Sequence, residues 1–455
     1  MKHELRKDAL GVVHSIAMGV AGSAPSFSLS ATLPTLIGAV AVLAPVSLLY
    51  CGLIMLGIVL AYVHLNAWDP NAGASYAWGS AVLGRTPGFL AGWALLVASV
   101  VFMVSATLPA GSATMMLIAP DHAESQYLVT ACAAGWLILV TAVVAKGISL
   151  TGRLQSVMTA IELCVLAAIS IAAAIQFAGH PAHDFAWPNL LPTAFTPSSF
   201  ASGAVIALFF FWGWDVSLNL SEETRDSEKT PGSGALAALA ILILAFAGVA
   251  AICLAALTDD EIKTAGTNIL FTVAGKLFPA PWSYLAVLAL MLSTIGTLQT
   301  QMLQFSRTMF AQARDGALDD RWSTVHHEHR TPHHATFLIS GLGLLLLFGS
   351  LSSKGLADIM ADSIQVIGVL AAYYYGVAGL SCAIHYRAEL KGSLRGALGK
   401  VICPGFSALV LFWAAIMTLI DFDLTAALVA AGSVLLAGVP LWRHRPAAAP
   451  SPSGV

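Results

Sequence analysis

A chain of 455 residues could hold several soluble domains, but only 10% of this one is charged and 58% is hydrophobic, against roughly 25% charged residues in soluble proteins. With a mean hydropathy of +0.81, the composition excludes a soluble enzyme and indicates an all-α polytopic protein of the lipid bilayer. The net charge of −3 gives no footing for nucleic acid.

In chain order, residues 1–9 form a polar segment with no signal-peptide pattern. Apolar runs long enough to cross a bilayer, about 20 residues each, then recur about twelve times. They are predicted near 10–36, 39–65, 87–118, 126–144, 154–177, 197–220, 234–257, 281–305, 335–351, 361–385, 400–419 and 424–442. The segment Trp68 to Trp78, rich in turn formers yet apolar, reads as re-entrant or interfacial. Residues 443–455 form a Pro/Ala/Ser tail whose composition suggests disorder. With the N-terminus in the cytoplasm, eighteen of the 21 basic residues fall on the inner side, and only Lys263, Lys276 and Lys354 fall outside. The positive-inside rule therefore predicts an inner or plasma membrane protein with both termini cytoplasmic. The six cysteines lie in or beside apolar runs without metal-like spacing, and read as buried free thiols.

Two of the runs cannot be regular helices. Gly19-Val-Ala-Gly-Ser-Ala-Pro-Ser26 contains glycines and a proline that removes an N–H, and Phe209-Phe-Phe-Trp-Gly-Trp-Asp215 is interrupted by Gly213 and Asp215. Unwound backbone in hydrocarbon survives only where it lines a cavity or meets a ligand. A pair of such breaks in the two halves of a chain points to the substrate site of a secondary transporter.

Three stretches carry a family resemblance. Asn71-Ala-Gly-Ala-Ser-Tyr-Ala-Trp78 with Gly88-Phe-Leu-Ala-Gly-Trp93 resembles a signature of the amino acid–polyamine–organocation (APC) permeases. Gly213-Trp-Asp215 with Glu222-Glu-Thr-Arg-Asp-Ser-Glu-Lys-Thr-Pro231 is similar to that family's sixth helix and following loop. Arg307-Thr-Met-Phe-Ala-Gln-Ala-Arg-Asp-Gly316 with Thr331-Pro-His-His-Ala335 is similar to its eighth helix and loop. The resemblance implies a LeuT-like fold in which residues 10–385 form a transport core. Its two inverted repeats, about 10–177 and 197–385, carry the broken helices 1 and 6, and 400–442 adds two peripheral helices. It also implies a permease for amino acids or related organic amines. N–H groups at Gly22, Ser23 and Ala24 would hold a carboxylate, and the backbone from Phe209 through Phe210, Phe211 and Trp212 to Gly213 would hold an amine, with Phe209 as lid. A half-helix N-terminus facing an anion and a C-terminus facing a cation is the physical basis.

The chain departs from the family pattern twice. Ala24-Pro25 follows Gly22-Ser23 where the family has a second glycine, which removes a donor and favours an amine such as a polyamine. Glu162 stands where cationic-type members place a lysine that mimics a bound sodium, and a carboxylate cannot play that part. Glu162 and Asp215 are the ionisable residues well inside spans, where each costs about 2.5–3.5 kcal/mol. Glu162 is expected to carry a proton in at least one transport state, to donate a hydrogen bond to a carbonyl freed at the first break, and so to couple transport to protons. Asp215 is the next candidate, and a sodium ion remains open. Ser293 and Thr294 could add hydroxyl oxygens for an ion or substrate, though such groups also bond their own helix. The histidines at 326, 327, 329, 333 and 334 have no metal-site spacing, and no cofactor is called for. An exchanger, or a nutrient sensor with the same fold, is the rival reading. No catalytic arrangement such as His-Glu-x-x-His lies within the spans.

Overall fold

The computed structural model describes residues 4–420 other than 124 and 353–355, together with 432, 436–438 and 440. The first expected span is split into α1 (Val12–Ser23) and α2 (Pro25–Val40), which meet at Ala24 with φ +46 and ψ 71. The sequence places the break there for two reasons. A proline disfavours the α conformation at the residue before it, so Ala24 cannot continue α1. Pro25 then opens α2 at the position where a missing N–H is no loss. Ala41, at φ +50, turns the chain into α3 (Ala44–Trp68).

The turn-rich segment after α3 folds inward. Asn71 Oδ1 accepts from the Gly73 N–H at 2.9 Å, a side-chain turn typical of asparagine. In α4 (Ser75–Val82), which follows, the buried Trp78 indole donates to the Asp69 carbonyl at 2.8 Å. Three long helices come next: α5 (Arg85–Ile118), α6 (Gln126–Ala145) and α7 (Ile148–Phe177). The second break separates α8 (Pro197–Phe210) from α9 (Val216–Asn219), with Gly213 between them at φ +101. After α10 (Thr230–Ala256), two short helices, α11 (Asp259–Ala265) and α12 (Ile269–Leu277), occupy a connection that reads as plain loop in the sequence. The chain closes with α13 (Leu285–Arg314), α14 (His333–Gly349), α15 (Leu356–His385), α16 (Leu394–Ala397) and α17 (Cys403–Ile420).

Each expected span as far as 400–419 coincides with a helix or a broken pair, whereas 424–442 lies almost wholly outside the described residues. Eight stretches among the described residues are long and apolar enough to cross a membrane, and α8 and α14 are shorter apolar helices. The thiol expectation needs one correction, since Cys164 is exposed on α7.

The bundle is built around α13, which packs on α1, α5, α6, α7 and α14. Its mean hydropathy of 1.4 is the lowest of the spans, yet every residue from Ser293 to Ala313 is buried. A span enclosed by protein can be polar provided that its polar groups find partners. Gln299 reaches Gln155 of α7 at 2.9 Å, Gln301 meets Ser99 of α5 at 3.3 Å, and Gln304 reaches Asp215 at 2.6 Å.

Candidate functional site

The two breaks meet backbone to backbone beside α13. A Cβ on Gly22 would stand 2.0 Å from the Gly213 carbonyl oxygen, and one on Gly213 would stand 2.3 Å from the Gly22 carbonyl oxygen. Gly213 also needs its left-handed φ, which other residues resist. The opposite break fills the space beside Gly22.

The N–H groups of the first break can be followed one by one. Ala24 donates to the Ala21 carbonyl at 3.1 Å and Ser28 to the Ala24 carbonyl at 2.8 Å. Pro25 has no N–H. Ser26 donates to Glu162 Oε1 at 2.8 Å and Phe27 to Ser293 Oγ at 3.2 Å. A carboxylate of the protein's own α7 thus sits at the start of α2, on an N–H outside the Gly22, Ser23 and Ala24 set expected to meet a substrate. Glu162 also corrects its own expectation, because it accepts from an N–H and does not face a freed carbonyl. The start of a helix carries partial positive charge, which suits an acceptor at this position. On the carbonyl side of the break, Thr297 Oγ1 donates to Gly22 at 3.1 Å and Ser28 Oγ to Ser23 at 2.7 Å. The Thr294 hydroxyl donates to Leu290 and Met291 of its own helix.

At the second break the Gly213 N–H donates to the Tyr375 hydroxyl at 3.1 Å, and that hydroxyl donates to Asp215 Oδ1 at 2.7 Å. Tyr374 adds a longer bond of 3.4 Å to the same oxygen, and Gln304 holds Oδ2. Asp215 is thus tied by neutral donors from α13 and α15, which makes it the anchor of the second break. Neither tyrosine nor Gln304 was singled out in the sequence.

Four rings gather beside the junction. Phe102 of α5 lies 5.7 Å from Phe27, 6.4 Å from Phe209 and 5.0 Å from Trp212, between ring centroids. Phe210 and Phe211 turn their rings away, onto Phe246 of α10. Beside Phe27 a cleft of about 30 Å³, room for about two waters, is lined by Ser30, Pro109, Ser112, Asn268 and Leu290. A larger recess of about 650 Å³ near Glu4, Asp8, Glu222, Glu228 and Arg314 is an open groove that no break residue lines.

Residues 10–439 match the amino acid permease family. The chain belongs to that family. It is 27% identical to an uncharacterised transporter of Mycobacterium tuberculosis over 76% of this chain and 75% of the relative. It is 24% identical to a branched-chain amino acid permease of Bacillus subtilis over 72% and 70%. It is also 26% identical to the rabbit large neutral amino acids transporter small subunit 2, over 87% and 73%. Each is a transporter, and none is named as an enzyme.

In this permease the loop after α9 closes the arginine-rich end of the bundle. Arg307, on α13, is fully buried with Glu223, joined by Nε to Oε2 and Nη2 to Oε1 at 2.9 Å each. Arg314 grips both oxygens of Glu222 at 2.9 Å, and the Ala72 N–H donates to the same carboxylate at 2.9 Å. Ala9 and Leu10 donate to the Glu223 carbonyl, and Arg225 donates back to Leu10. The Glu222-Glu223 doublet was the available signal, because two adjacent acids followed at a distance by two arginines two turns apart on one helix face invite pairing. The histidine rings of the 326–334 loop stack on one another. Among the described residues no group of three or more His, Cys, Asp and Glu is arranged to hold a metal ion.

Proposed function

We propose that this permease imports amino acids with apolar side chains, together with protons, across a cell membrane. In this reading both termini and the 307–334 loop are cytoplasmic, and residues 10–177 and 197–385 are the two inverted repeats that move against each other. The observation that carries it is the Glu162 carboxylate on the Ser26 N–H at 2.8 Å. Ionised, Glu162 binds the start of α2; protonated, it loses the charge-assisted part of that bond, which is roughly half its strength. One proton thus changes how firmly the first break is held to α7, and the two protonation states favour different arrangements of the repeats. Ser293 Oγ, Thr297 Oγ1 and the Gly22 carbonyl complete the polar wall beside Glu162. The rings of Phe27, Phe102, Phe209 and Trp212 offer a seat for an apolar side chain, in keeping with relatives named for branched-chain and large neutral amino acids.

A second reading is a carrier of amines without a carboxylate, or an exchanger of an amino acid for its amine. The satisfied N–H groups from Ala24 to Ser28 favour it, since the main chain of the first break keeps no free donor. Uptake into liposomes separates these readings. Leucine, isoleucine and phenylalanine are compared with their decarboxylated amines under an imposed pH gradient in sodium-free buffer. Amino acid uptake driven by the gradient, and indifferent to it in Glu162→Gln, is the expected result. Uptake that ignores the gradient in the wild type, or that requires sodium, would remove Glu162 as the proton site.

A further inference from the structure

Where α15 ends, the chain turns a corner through a short helical turn at Arg387–Lys391 and enters one continuous helical stretch, made of α16, a wider turn at Leu398–Ile402, and α17. The 27 residues from Leu394 to Ile420 extend about 40 Å at 1.5 Å each, whereas the hydrocarbon of a bilayer is about 30 Å thick and is crossed by about 20 residues. Counted back from Ile420, Leu394 to Lys400 therefore stand at the depth of the lipid headgroups. Exposed apolar side chains at Leu394, Leu398, Ile402, Phe406 and Leu409, and onward to Ile420, recur every three or four residues and so share one face. The other face, where Ser407, Ala408 and Ala414 are buried, packs on α15 and α3. The exposed stripe is thus the lipid-facing side of a span, and it runs without a break into the corner, where Leu394 is 75% exposed.

The same corner carries cations. Arg387, Lys391 and Arg395 are exposed, and among the described residues their side chains have no hydrogen-bond or ion-pair partner. Glu389, the one acid between Tyr386 and Ile402, is already committed. It holds the Lys400 ammonium at 2.7 Å, and its Oε2 lies 2.5 Å from where a Cβ on Gly396 would stand, so it is folded down onto α16. Unpaired cations beside an apolar stripe, at the depth of the headgroups, match a molecule with an anionic head and a hydrocarbon tail. We propose that this corner binds an anionic phospholipid, its phosphate held by Arg387, Lys391 and Arg395 and its acyl chains laid along Leu394, Leu398 and Ile402. Arginine suits the head because its planar fork matches phosphate oxygens. The corner closes α15, whose Tyr374 and Tyr375 hold Asp215, so the lipid steadies the helix that anchors the second break. The proposal is independent of which substrate the permease carries.

The test is thermal stabilisation of the purified full chain in neutral detergent, titrated with phosphatidylglycerol or phosphatidylcholine, since a bound lipid stabilises by mass action. The wild type is expected to respond to phosphatidylglycerol at the lower concentration. Each cation near the headgroups contributes about fivefold to affinity for an anionic lipid. Arg387→Gln, Lys391→Gln and Arg395→Gln combined should therefore weaken phosphatidylglycerol by about a hundredfold and leave the response to phosphatidylcholine unchanged. A control that removes three exposed cations elsewhere, Arg6→Gln, Lys7→Gln and Lys229→Gln, should keep the preference. Equal losses in the two triple variants would trace the effect to net charge and overturn the proposal. Should the first triple variant fold poorly, the wild type still decides: its preference should vanish in about 1 M sodium chloride, where charges are screened beyond about 3 Å. A preference that survives such salt, or no preference at all in the wild type, overturns the proposal. So does equal stabilisation by inorganic phosphate at the same concentration, which would make the corner a site for a free anion.

Discussion

Glu223 and Arg307 have no exposed side-chain surface, so their two parallel hydrogen bonds must offset the removal of both charges from water. Breaking such a pair from one side strands the other charge and costs about 3–5 kcal/mol, whereas replacing both partners by apolar residues is often neutral. Arg307→Met is therefore expected to lower the melting temperature of the purified protein sharply, and Arg307→Met with Glu223→Leu to restore most of it. Equal losses in the single and double variants would show that packing, not charge pairing, sets the cost. Arg307 was hard to read because a basic residue at the end of an apolar run normally marks a membrane boundary. Gln301 was harder still, since a neutral amide among Thr, Gln and Leu shows neither charge nor periodicity. Glu162 stood out, because an acid inside an apolar span is costly enough to need a reason; its partner, an N–H 136 positions away in sequence, left no trace.

The broken helices were legible as elements because Gly, Pro and a lone acid punctuate them at short range. Their contact was not, since nothing local states that two glycines from opposite halves face each other. Gly22→Ala tests that contact: a methyl 2.0 Å from the Gly213 oxygen must push the breaks apart. Transport should fall by more than tenfold while the protein still inserts, whereas Gly38→Ala, which meets nothing within 4 Å, should be silent. Similar activity in the two variants would separate the breaks from the transport cycle. The helices α11 and α12 went unread although Thr258-Asp-Asp-Glu261 is a capping pattern. There the Lys276 ammonium, 2.7 Å away, holds the Glu261 carboxyl well below its ordinary value of 4.5, down to about 2. A depressed value means that this tie stabilises the loop at neutral pH and fades only as pH falls from about 4.5 toward 2. In Lys276→Gln the carboxyl should return toward its ordinary value. Hydrogen exchange in α11 should then quicken on acidification nearer pH 4.5 than in the wild type; identical pH profiles would deny the pair any role.

For the molecule as a whole, the distribution of basic residues is what supports the proposed orientation. A single cysteine at Glu328, exposed in the loop between α13 and α14, should be shielded from an impermeant thiol reagent added to intact cells. One at Thr193, exposed before α8, should react. The reverse pattern would invert the topology. The order of the spans as far as 400–419 was legible because hydrocarbon demands about 20 apolar residues per crossing. The central place of α13 emerged only in three dimensions, where its low hydropathy proves to be protein contact.

The clasp between residues 8–10 and 223–225 also bears on how the chain is made. Arg225 reaches the Asp8 carbonyl across 217 residues, and at 5–20 residues per second a ribosome needs roughly ten to forty seconds to add that length. During that interval the first residues to emerge have no docking partner. The half-helix α1 enters the bilayer with its broken end unmatched until Gly213 arrives. The earliest part of this permease to be synthesised is thus among the last to settle, and a membrane chaperone that shields polar helix ends would find its client in this waiting state.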